Sequence, residues 1–96
     1  MSNTKTLIVL SIRSPHPFTD ALSLHGYRVF EALTVSEVFG LVERWPDAHI
    51  LITHDVKSTA AKLIRQRFMT FQAEENATIE DVLWELSHFQ PSSSIQ

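Results

Sequence analysis

Two short stretches hold most of the side chains that could do chemistry. Ile50-Leu51-Ile52-Thr53-His54-Asp55 runs from apolar residues straight into a hydroxyl, an imidazole and a carboxylate. Ser11-Ile12-Arg13-Ser14-Pro15-His16 runs into a guanidinium, a hydroxyl and a second imidazole. Arg13, Ser14, His16, His54 and Asp55 are therefore the candidate ligand-binding residues. An arginine, a serine and two helix N-termini suit a small anion such as phosphate or a carboxylate. No glycine-rich loop stands beside them to close backbone amides around a phosphate. His16, His54 and Asp55 are zinc-ligand types, but they lie on two loops without the spacing of a metal motif, so no metal and no other cofactor is expected. Serine, histidine and aspartate all occur, but without a Gly-x-Ser-x-Gly elbow to activate the serine, and no catalytic residue is assigned. A plainer reading also fits: Asp55 caps a helix, His54 is a solvated loop residue and Ser14 starts a turn.

These residues need elements to hold them. Thr6 to Ile12 is β-branched and almost continuously apolar, as in a strand buried on both faces. Phe18, Ala21, Leu22 and His25 recur with helical period, and Gly26 stands where a left-handed residue would end that helix. The spacing puts His25 on the apolar face as a satisfied, buried histidine. Tyr27 to Leu33 alternates, with Arg28 and Glu31 inside it, which suggests a strand near a sheet edge. Thr34 with Glu37 reads as a capping box. Val35, Val38, Phe39, Val42 and Trp45 form the stripe of the next helix, with Phe39 and Trp45 expected in the core, and Pro46 ends it. His49 to Thr53 is a third strand, and Asp55 is expected to cap a helix whose inner face is Ala60, Ala61, Ile64 and Phe68. Met69 to Ala73 is a short fourth strand. Thr78 with Asp81 caps a last helix striped by Ile79, Val82, Leu83, Leu86 and Phe89.

Strand and helix alternate with short connections, which implies right-handed crossovers and a parallel sheet. The predicted fold is α/β: a three-layer α/β/α sandwich of four βα units, with a four-stranded parallel sheet in the order 2-1-3-4. The 96 residues form one domain, 1–96, with an ordered core of about 5–90 and a flexible tail at 91–96. In open sheets of this kind ligands bind beyond the C-terminal strand ends, where strand order reverses. For 2-1-3-4 that point lies between the first and third strands, where both chemistry-bearing stretches end.

Composition narrows the function classes. A net charge of −3 gives no general attraction to nucleic acid or anionic membranes. The absence of cysteine removes disulfides, thiolate nucleophiles and cysteine-bound metals. Lys57, Lys62, Arg65 and Arg67 spread around their helix as a solvated face. The apolar run after the single early lysine is too short for a signal peptide or for a membrane span, which takes about 20 residues. The expected protein is soluble and cytoplasmic.

Gly26-Tyr27 leading a strand, Ala32 and the small polar residues leading a helix, and Pro46-Asp47 leading the third strand form a pattern. It resembles the second-to-third-strand stretch of response-regulator receiver domains, which have a flavodoxin-like fold; with the first strand the likeness covers about half the chain. The resemblance implies a signalling domain. Its functional residues do not carry over. The family's acidic residues after the first strand are replaced by Ser11-Ile12-Arg13. Its phosphorylated aspartate falls at Ile52 and Thr53. Its lysine after the last strand falls near Gln72-Ala73-Glu74. The chain is also about one βα unit shorter than that family. Phosphotransfer needs a carboxylate cluster to hold Mg²⁺, so the resemblance points to a degenerate, shortened relative that keeps the scaffold without the phosphoacceptor site.

The last helix carries a separate signal. With 100° per residue from Ile79, Trp84 falls at about 140° and His88 at about 180°, away from the core stripe and four residues apart. Tryptophan off the apolar face is a feature of interface hot spots, although it also fits a ring folded onto the tail near Pro91. In receiver-like folds this edge commonly mediates dimerisation. The expected function is a non-catalytic protein-interaction module, self-associating as a homodimer through Trp84 and His88. The alternative is a small-anion sensor or enzyme at the ends of strands 1 and 3.

Overall fold

The computed structural model describes residues 5–14, 16–68 and 70–88. Among them, strands and helices alternate as β1 (Thr6–Leu10), α1 (Pro17–Leu24), β2 (Arg28–Ala32), α2 (Val35–Arg44), β3 (His49–Ile52), α3 (Ser58–Arg67), β4 (Thr70–Gln72) and α4 (Ile79–His88). The strands form one parallel sheet in the order β2-β1-β3-β4. The most apolar strands, β1 and β3, are central, and Leu7, Ile8, Val9, Leu51 and Ile52 are fully buried.

Because strand side chains alternate, the sheet has two dry faces. Ile8, Leu10, Ile50 and Ile52 pack with Val38 of α2 and with Ala61 and Ile64 of α3. Leu7, Val9 and Leu51 pack with Leu22 of α1 and with Val82 and Leu86 of α4. Strand order reverses after β2, so crossovers of one hand put α1 on one face and α2 and α3 on the other.

The helix ends follow local chemistry. Gly26 has φ +95° and closes α1. Thr34 Oγ1 accepts from Glu37 N at 3.2 Å, and Glu37 Oε1 reaches back to accept from Leu33 N at 2.6 Å. Thr78 and Asp81 form a full capping box, each accepting the other's backbone amide at 3.1 Å.

Several expectations need correction. The first strand stops at Leu10, and Ile12 lies in the following loop with 60% of its surface exposed. His25 is exposed: α1 ends at Leu24, so the seventh position of its stripe falls on the C-cap, off the inner face. Phe39 and Trp45 are half-buried and close the flanks of the core. Trp45 stacks on Phe30 at 5.3 Å under the Arg28 guanidinium, and Phe39 lies against Phe68. Asp55 does not cap α3. That helix begins at Ser58 with Lys57 at its N-cap position, where no side chain accepts an amide. A turn from Thr53 to Val56 buries the Val56 side chain and uses up the residues that would have begun the helix. Phe89, Pro91 and the tail expectation lie outside the described residues.

Candidate functional site

The loops after β1 and β3 meet at the strand-order reversal. Thr53 N donates to Leu10 O at 3.1 Å and Ser11 N to Ala32 O at 3.0 Å, which extends the ladder one residue past β3 and β1. Ser11 and Thr53 are therefore buried although polar. Ser11 Oγ accepts from Arg13 N at 3.1 Å and turns the loop outward. Thr53 Oγ1 donates to the Asp55 carboxylate. The other Asp55 oxygen lies 3.8 Å from Arg13 Nε, with the arginine side chain 64% exposed and the aspartate 15%. A long, solvated ion pair of this kind contributes at most about 1 kcal/mol.

Beside this pair, Glu31 organises the start of α1. In the β1–β2 register Glu31 lies opposite Val9, on the face that α1 covers. Its carboxylate accepts from Ser14 Oγ, from His16 N at 2.7 Å and from Thr19 Oγ1 at 2.6 Å. His16 Nδ1 in turn accepts from Phe18 N at 3.1 Å as the N-cap of α1. Two orphan donors of the helix N-terminus are thus satisfied by the protein's own acceptors, and the carboxylate sits at the positive end of the helix dipole.

The electrostatics follow from these contacts. The Ser14, Thr19 and His16 hydrogen bonds hold the Glu31 carboxyl below its ordinary value. The Thr53 hydroxyl does the same for Asp55, helped by His54 and Arg13. Burial lowers His16; Asp55 and Glu31 pull it upward, while Arg13 and His54 add to the lowering. Because Nδ1 accepts the Phe18 amide, the neutral ring carries its proton on Nε2.

The structure therefore brings Arg13, His16 and Asp55 into one electrostatic neighbourhood, with His54 exposed at its margin. Ser14 is engaged by Glu31. Among the described residues no three histidine or acidic side chains are placed to hold a metal ion. Where an anion pocket would use Ser14 and the α1 N-terminus, Glu31 already supplies the anion.

The second candidate surface is the outer face of α4. Trp84 is 59% exposed. His88 stacks on it at 4.0 Å with an interplanar angle of 19°, and His88 Nδ1 donates to the Trp84 carbonyl at 2.8 Å. That bond fixes the imidazole over the indole. Clefts lie on either side of Trp84. One, of about 270 Å³, runs toward β4 between Phe71, Asn76 and Glu85; the other, of about 460 Å³, runs toward α1 between Tyr27, Leu83 and Ser87.

Comparison with protein-family models, with curated proteins and with solved structures finds no match. Glu31 joins the site from within β2, whereas the residues expected there all lie on loops. Its signal was available: strand alternation puts Glu31 and Val29 on one face, and Glu31 lies near the C-terminal end of a strand beside the loop that starts α1. Trp84 and His88 stand where helical spacing placed them.

Proposed function

We propose that this chain is a non-catalytic, receiver-like signalling module that self-associates through α4. The observation that carries the proposal is the exposed Trp84 ring held flat under His88 on the helix face opposite the buried Val82 and Leu86. An indole fixed in place has little rotamer entropy left to lose, which suits it to anchor an interface. The parallel 2-1-3-4 sheet is compatible with the receiver resemblance. Ser11 and Thr53 follow β1 and β3 where the receiver resemblance implies carboxylates, which supports a scaffold role without phosphotransfer. Sedimentation velocity over a concentration series tests the reading. Wild type is expected to show a concentration-dependent dimer, weakened roughly 30-fold or more in Trp84→Ala. Identical monomeric profiles for both proteins would end it.

A second reading places a small anion at the rim, and the exposed Arg13 guanidinium with the nearby His54 favours it. It expects a rise in melting temperature with phosphate, nucleotide or carboxylate ligands. A panel without any shift removes it.

A further inference from the structure

Self-association through Trp84 leaves the direction of the partner helix open, and the charges around α4 decide it. Trp84 lies close to the midpoint of Ile79–His88. At the N-terminal end of the helix Glu80 flanks the cleft that Trp84, Leu83 and Ser87 share with Tyr27 and His25. At the other end the hollow continues past Ser87 to Gly26 and Lys5, the residue that leads into β1. On the side of Trp84 that faces Tyr27 the surface thus carries a carboxylate at one end, an ammonium at the other and an aromatic ridge between them, while Asp81, held by Thr78 N, and Glu85 line the cleft on the β4 side. A parallel helix pair would set Glu80 against Glu80 and Lys5 against Lys5. A two-fold axis through Trp84 reverses one helix, sets each Glu80 against the Lys5 end of its partner, and opposes the two helix dipoles favourably.

We infer that the partner is a second copy of this chain, docked antiparallel on α4, with Trp84 at the two-fold axis and Glu80 facing Lys5 of the other copy. This arrangement rests on the self-association proposed above. The interface is isologous, so each charge contact occurs twice, and a single charge reversal places two repulsive pairs in the dimer.

The test uses Glu80→Lys, Lys5→Glu and the double variant carrying both, each followed by sedimentation velocity with circular dichroism to confirm folding. All changed side chains are exposed, so the fold is expected to persist. Each single variant should weaken the dimer about tenfold, through two lost contacts and two repulsions. The double variant keeps the wild-type net charge and should restore the dimer to within about twofold, because swapped partners still attract. A dimer that Trp84→Ala abolishes but single charge reversals leave unchanged would keep the α4 interface and overturn the antiparallel arrangement. A double variant that stays as weak as the singles would overturn it as well. A wild type that is monomeric throughout would overturn both this arrangement and the self-association beneath it.

Discussion

Glu31 is the residue on which the rim of the sheet turns. Its carboxylate collects three donors from a segment twelve to seventeen positions earlier in the chain, so it ties the edge strand to the start of α1. Hydrogen bonds to a charged acceptor contribute about 1.5–3 kcal/mol in good geometry, and partial exposure reduces that here. Glu31→Ala is expected to cost about 1–2 kcal/mol, read as a shift in urea midpoint, and an unchanged midpoint would show that solvent replaces the carboxylate fully. Glu31, Asp55 and His16 also set the response to acid. All three titrate below their ordinary values when folded, so the unfolded chain binds more protons through each window and stability rises with pH. Stability is expected to fall as pH drops below 6.5, where unfolded His16 takes its proton, and again below 4.5 and 3.8 for Glu31 and Asp55. His49, lowered first by burial, adds to the first stage. His16→Asn keeps an amide-accepting cap without the titration and should shrink that stage. A melting temperature equally pH-dependent in the variant between pH 7 and 5 would assign the stage elsewhere.

The helices show which local rules tertiary structure obeys and which it overrides. The boxes at Thr34/Glu37 and Thr78/Asp81 close within four residues, and both form as their sequences suggest. Asp55 has equally good cap chemistry, yet Thr53 and Arg13 hold it and α3 starts at Ser58 instead. Lys57 is left at the N-cap position with extended backbone, φ −58° and ψ 143°, and a positive charge at the positive end of the helix. Lys57→Asp is expected to raise stability by about 0.5–1 kcal/mol, from a cap hydrogen bond and a favourable dipole contact. A thermal melt that does not move would show that the loop geometry keeps the new carboxylate from the helix amides.

Across the whole molecule, a chain of this length buries about two-thirds of the surface it exposes when unfolded, so the central strands bear most of the load. Leu51 is fully buried on β3 and packs under α1 and α4. Leu51→Ala should cost about 2–5 kcal/mol, a large part of a typical stability of about 5–15 kcal/mol, and denaturant titration measures it directly. Removing Trp84 belongs to the opposite case. Its ring is mostly outside the core, so Trp84→Ala should leave the denaturation midpoint of the monomer nearly in place while changing association. No helix among the described residues is long and apolar enough to cross a membrane, and Trp84 is one of the large apolar side chains left exposed, with Ile12, Leu24, Leu33 and Leu63.

Hydrophobic period and turn chemistry were enough to read the four strands, the four helices, the 2-1-3-4 order and the off-core position of Trp84. The elements and the position of Trp84 follow from the recurrence of apolar and polar residues over a few positions, a property of neighbouring residues in the chain, and the strand order follows from placing the most apolar strands at the centre with crossovers of one hand. Glu31 meeting Ser14, His16 and Thr19, Asp55 turning from helix cap to partner of Arg13, and His25 leaving the apolar face were settled only by the fold. The first two depend on the register at which neighbouring strands pair, and the last on one residue's difference in where a helix stops. Burial patterns fix faces, while hydrogen-bond partners across the sheet depend on distances that only parallel pairing sets.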